Sequence, residues 1–217
     1  MLLELLKSKA VEKGLLKPEE EIDIEKAFLL VRDMPYIRAS SRDHEAIIDE
    51  WRGTCSGKHY LLKGLFAELG YASRLMACTT VTHIDPKKVP GKLRKLLQQS
   101  HGRFVDVHNY LVLTLPEGEM VVDATWPIST RGMGVVINER FVPGENQKIA
   151  VEPLRTWVVP ADRDPQEFKN EILKASFTPE ELAHRDEFVK TLSKLTTNKV
   201  VRFVVWLGRL LKGREAS

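Results

Sequence analysis

The stretch from Gly53 to Tyr71, GTCSGKHYLLKGLFAELGY, constrains the fold more than any other part of the chain. Leu61, Leu62, Leu65, Phe66 and Leu69 recur at helical spacing on one face, and Gly70 supplies a left-handed stop. Cys55 stands directly before this run, so the helix carries a thiol at its positive end. Beyond Gly70 the period changes. YASRLMACTTV, YLVLTL and MVVDATW are rich in strand formers, and the last two are joined by PEGE, whose Pro and Gly are turn residues. A one-faced helix followed by strands predicts an α+β fold with that helix packed on an antiparallel sheet.

The flanks read as helical. LLELLKSKAVEKGLL shows helical spacing, and PEEEIDIEKAFLLVRDM predicts a second helix opening at Pro18 with three acids in its first turn. A short helical pattern runs from Glu45 to Trp51. Between the first strand and the hairpin lies THIDPKKVPGKLRKLLQQSHGR, an inserted loop with a short helix and a basic run from Lys87 to Lys95. Loops and edge strands (GVVI, TWVV) are expected from Trp126 to about Pro160. DPQEFKNEILKASF then reads as a helix, followed by another that Thr178 and Glu181 open as a capping box, and by a last one over Asn198 to Lys212. These patterns divide the chain into a core domain at 1–160, including the N-terminal helices, and a helical extension at 161–217.

Composition narrows the partners. With 217 residues, 43% hydrophobic and 29% charged, the chain can bury a core. A net charge of +3 without a dense Lys/Arg run studded with aromatics does not predict nucleic-acid binding. Glu4 interrupts the apolar start, which lacks the marks of a signal peptide, and FVVWL at 203–207 is far too short to span a bilayer, which takes about 20 residues. The expected location is cytoplasmic. Two cysteines, Cys55 and Cys78, suit a reducing compartment better than a disulfide framework, and neither belongs to a CxxC pair, so no metal or other cofactor is expected. The last helix is basic and amphipathic; docking on the protein's own core is expected ahead of membrane-surface contact.

A thiol with a pKa of about 8.5 must be activated to attack at neutral pH. The helix start supplies part of that, and a histidine must supply the rest. His59 lies four residues after Cys55 on the same helix, with nothing evident to orient it. His108, heading HNYLVLTL, is better placed because the partner strand MVVDATW carries Asp123, able to fix the imidazole tautomer and stabilise the imidazolium. With PEGE as a four-residue loop, Leu115 faces Met120 and Val112 faces Asp123. That register puts Asp123 on the same side as Tyr110 and His108 but leaves His108 about 13 Å away along the strand. Contact then requires a tighter register or a bulge.

Together, GTCSGKHYLLKGLFAELGY, DVHNYLVL and VVDATWP resemble the transglutaminase-like superfamily of papain-type cysteine enzymes over about residues 50–127. The resemblance implies a papain-like core in which Cys55 is the nucleophile, His108 the general base and then acid, and Asp123 the orienting acid. Tyr110 fills the aromatic position after the histidine, while Ala124 stands where members often have Pro. An oxyanion hole would use the Cys55 N–H and a second donor, with Trp51 and Tyr36 as candidates. The expected activity is amide or peptide hydrolysis, or amide transfer, through a thioester on a peptide, protein or small amide substrate. The competing expectation is a binding or scaffold protein that keeps the fold without turnover and works through its basic insert and basic terminal helix. A third reading, acyl transfer from a thioester donor, expects a cofactor pocket that no segment suggests.

Overall fold

The structure is a computed structural model that describes residues 1–88, 91–132 and 135–191. Helices α1 (Leu2–Glu12), α2 (Ile24–Asp33), α3 (His44–Glu50) and α4 (Cys55–Glu68) precede strand β1 (Ser73–His83). A 3-10 turn at Pro86–Lys88 and helix α5 (Gly91–Gln99) form the insert before β2 (Arg103–Leu115) and β3 (Gly118–Val122). An irregular stretch then leads to β4 (Arg155–Val158), α6 (Pro165–Ser176) and α7, whose described part covers 179–191. The fold is α+β, with a four-stranded antiparallel sheet ordered β3-β2-β1-β4. The helix expected over Asn198 to Lys212 lies outside the described residues. Among those described, no helix is long and apolar enough to cross a membrane.

The chain forms two compact units. Among the described residues, the first comprises Met1–Met76, Asn109–Ser129 and Val136–Ala150, and the second those of 77–108, 130–135 and 151–191.

In the first unit α4 packs against α1, α2 and α3. Its Leu61, Leu62, Leu65 and Phe66 are all fully buried, worth about 1.5–3 kcal/mol each in area removed from water. Phe66 and Phe28 of α2 both meet Phe141, at 6.3 and 5.3 Å between ring centroids. The helix ends where expected: Gly70 adopts φ +85°, and the Tyr71 N–H returns to the Phe66 carbonyl at 2.8 Å. Helix α2 opens later than Pro18. Asp23 caps it, accepting the Lys26 N–H at 2.8 Å, because Glu20 instead closes a turn onto the Lys17 N–H, also at 2.8 Å.

The hairpin register also differs from expectation. Leu115 pairs with Gly118 and Leu113 with Met120, so only Pro116 and Glu117 lie in the turn. Gly118, at φ +136°, supplies a backbone conformation that a side chain would strain, which lets the chain reverse two residues sooner. Strands β1 and β2 run antiparallel: the Ile84 N–H donates to Gly102 at one end, and the Thr114 N–H to Ala72 at the other. Along β2, Val105, Val107, Asn109, Leu111, Leu113 and Leu115 form a row that is buried throughout. The alternate row is graded, with His108 and Tyr110 buried and Thr114 exposed.

In the second unit the amphipathic α5 buries Leu93 and Leu97 against Phe188 of α7, with Phe104 packed alongside. The capping box forms as read: the Thr178 N–H donates to Glu181 at 2.8 Å and the Glu181 N–H to the Thr178 hydroxyl at 3.2 Å. Asp106 of β2 accepts from Arg185 of α7 at 2.8 Å and lies 4.0 Å from Lys169 of α6. Burial acts to raise its carboxyl, but the charges of Lys169 and Arg185 outweigh it and hold Asp106 below the ordinary carboxylate value.

Candidate active site

Cys55 is the first residue of α4, with Thr54 as an extended N-cap. The first turn is enclosed: Cys55, Ser56, Gly57, Lys58 and His59 are all buried, and Cys55 is 4% exposed. A Cβ on Gly57 would fall 2.6 Å from Ile47 Cδ1 of α3, so this position admits only glycine without repacking. Trp51 ends α3 in the left-handed region at φ 50°, a conformation unusual for a bulky residue, just upstream of the cysteine. Its ring lies beneath the Lys13 ammonium at 5.8 Å, and Tyr36 stacks on Trp126 with ring centroids 4.4 Å apart. Neither of these contacts assigns the second oxyanion donor.

Asp123 begins the turn that follows β3. The β2–β3 pairing, continued by one residue beyond Val122, sets it opposite Tyr110, which lies two positions along β2 from His108. Asp123 is 2% exposed, and both carboxylate oxygens accept backbone N–H groups, from Thr125 at 3.0 Å and from Ala150 at 2.8 Å. These bonds fix the plane of the carboxylate. Its own N–H donates to Gln147 at 2.8 Å.

His59 joins this turn to the cysteine's helix turn. The Ala124 N–H donates to Nε2 at 2.9 Å, so Nε2 carries no proton, and Nδ1–H must donate to the Cys55 carbonyl at 2.7 Å. The ring is therefore neutral with a fixed tautomer. The 3.6 Å approach of Nε2 to Asp123 Oδ1 is not an ion pair in that state. His59, for which the sequence shows nothing evident to orient it, is fully buried and bonded at both nitrogens.

Set against protein-family models, curated proteins and solved structures, the chain matches none. Its own geometry therefore carries the functional reading. Two of the three residues singled out, Cys55 and Asp123, stand on turns that share His59. The third, His108, lies on β2, 4% exposed. The next residue, Asn109, accepts from the Ser56 hydroxyl at 2.9 Å and donates to the Met76 carbonyl at 3.0 Å, fixing the first turn of α4 against β2. Cys78 is fully buried in β1, as expected for a core thiol, and neither cysteine is in a disulfide. Among the described residues, no cluster of His, Cys, Asp or Glu could hold a metal ion.

Sequence reasoning passed over Lys58. It is fully buried, and its ammonium donates to the Arg32 carbonyl at 2.8 Å and the Thr125 carbonyl at 3.0 Å. Burial pushes the amine down to about 7, against the carboxylates of Asp33 and Asp123, which favour its charged form. A lysine in a helix reads as a solvated residue, and no local signal in the sequence marks Lys58 as buried.

Proposed function

We propose that the chain is a cysteine-dependent acyl-group enzyme with a papain-like, transglutaminase-like core, acting on an amide of a peptide, protein or small molecule. In this reading the imidazole of His108 takes the proton from the Cys55 thiol, and the thiolate attacks the amide carbonyl carbon. The tetrahedral oxyanion forms beside the start of α4, where the Cys55 N–H and the helix dipole favour negative charge. As it collapses, the C–N bond breaks, the departing nitrogen takes the proton from the imidazolium, and a thioester to Cys55 remains. Water or an amine, deprotonated by His108, then displaces the sulfur. Asp123 orients the imidazole and stabilises its charged form.

The observation that carries this reading is the hairpin register. It shortens the separation along β2 between His108 and the residue opposite Asp123 from four positions to two. The His59 bridge supports it further, by tying the acid's turn to the nucleophile's turn. One observation favours the second reading, a binding or scaffold protein without turnover: Asn109, not His108, leaves β2 on the side of Ser56. Iodoacetamide at neutral pH separates the two. The enzyme reading expects Cys55 to label faster than a free thiol and His108→Ala to remove the excess; labelling at the free-thiol rate, insensitive to His108, would leave the scaffold reading.

A further inference from the structure

We propose that Lys58 and His59 are positioning residues, a paired clamp that holds the Asp123–Thr125 turn on the first turn of α4 and sets a buried cation beside the cysteine. This rests on the reading of Cys55 as nucleophile and names what organises that site. The two side chains grip the backbone of consecutive residues with opposite polarity. His59 accepts the Ala124 N–H at 2.9 Å, and Lys58 donates to the Thr125 carbonyl at 3.0 Å. Each has a second anchor on the helical side, the Cys55 carbonyl for His59 and the Arg32 carbonyl for Lys58. Between them the Thr125 N–H donates to Asp123 Oδ1, so moving this turn would move the carboxylate.

The surroundings are built for the lysine. Gly53 lies against its stem, where a Cβ would fall 3.1 Å from Lys58 Cγ. The charged groups facing the ammonium are the Asp33 carboxylate and Arg32 guanidinium at the end of α2, the Asp123 carboxylate, and the Cys55 thiol; His59, beside it in sequence, is neutral. Asp33, Asp123 and an ionised Cys55 favour the charged amine, while burial and Arg32 oppose it. The coupling is reciprocal: the ammonium favours the thiolate as the thiolate favours the ammonium. Because the amine titrates near neutrality, thiol reactivity should follow its protonation.

The test is the pH dependence of Cys55 alkylation by iodoacetamide on the full chain, read by intact-mass spectrometry. Lys58→Met is expected to move the profile to higher pH and to lower the rate at neutral pH about tenfold, the effect of about one pKa unit. Lys169→Met, which removes a buried amine from α6, should leave the profile unchanged. His59→Ala should slow alkylation, and His59→Gln, which can both accept from Ala124 and donate to Cys55, should restore it. A folded Lys58→Met protein whose profile overlays the wild type overturns the proposal, as does an equal shift in Lys169→Met. If Lys58→Met does not fold, the wild type decides. The Cys55 alkylation profile should show an inflection at the midpoint of the Lys58 Cε titration, and a lysine transition with no counterpart in the thiol overturns the clamp. His108→Ala separates the two readings: an unchanged rate there, with a lowered rate in Lys58→Met, removes the triad and keeps the clamp.

Discussion

The protonation of His59 follows from its partners alone. A backbone N–H on Nε2 leaves only Nδ1 to carry the proton, and Nδ1 spends it on the Cys55 carbonyl. Nitrogen NMR should therefore show His59 as the neutral Nδ1–H tautomer through neutral pH; a proton on Nε2 would contradict the arrangement. Lys58 makes a second prediction, about stability. Its folded pKa is lowered from 10.5 to about 7, so between those values the unfolded chain holds more protons than the folded one and stability rises with pH. Lys58→Met removes this slope while leaving two carbonyls without their donor, at a cost of about 1–3 kcal/mol. Urea melts should show the wild type's advantage over Lys58→Met largest well above pH 7 and shrinking toward it; a constant gap would contradict the buried amine. Cys55, His108 and Asp123 stand out as candidates in the sequence because each sits in a recognisable local pattern. Lys58 and His59 do not, since their partners, Thr125 and Ala124, lie far along the chain and only the tertiary fold brings them together.

Elements whose determinants are local were read correctly. The Thr178–Glu181 box needs two residues three apart, and the stop of α4 needs one glycine. The hairpin register was missed by two residues because PEGE was counted as all loop, whereas Gly118 and Glu119 pair with Leu115 and Thr114. The shift keeps every side chain on its expected face, as any even shift does. Gly118→Ala should cost about 1–2 kcal/mol, since its positive φ disfavours a Cβ, and equilibrium denaturation measures it; a neutral change would mean another residue sets the turn. In the second unit, Asp106 anchors α6 and α7 to β2 through Lys169 and Arg185. Asp106→Asn should destabilise by up to about 3–5 kcal/mol because it removes the carboxylate that Lys169 and Arg185 share. Its carboxyl is held below the ordinary value, so the contribution is present at neutral pH and is lost as pH falls through that lowered value, which acid titration of unfolding would follow.

At the scale of the molecule, the order of helix and strand patterns sufficed for the α+β class. The two compact units did not show in the sequence, because each gathers segments far apart in the chain, such as Met1–Met76 with Val136–Ala150. Pairing of that kind leaves no shift in composition at a boundary. The central claim, that Cys55 is an acyl-accepting nucleophile served by His108, is tested most directly by trapping the acyl group. Wild-type protein mixed with p-nitrophenyl acetate at neutral pH should gain one acetyl group, mapped to Cys55 by peptide mass spectrometry. His108→Ala should slow that step by about 10²-fold or more. Acetylation spread over Cys78 and surface lysines, or a Cys55 rate indifferent to His108, would contradict the account.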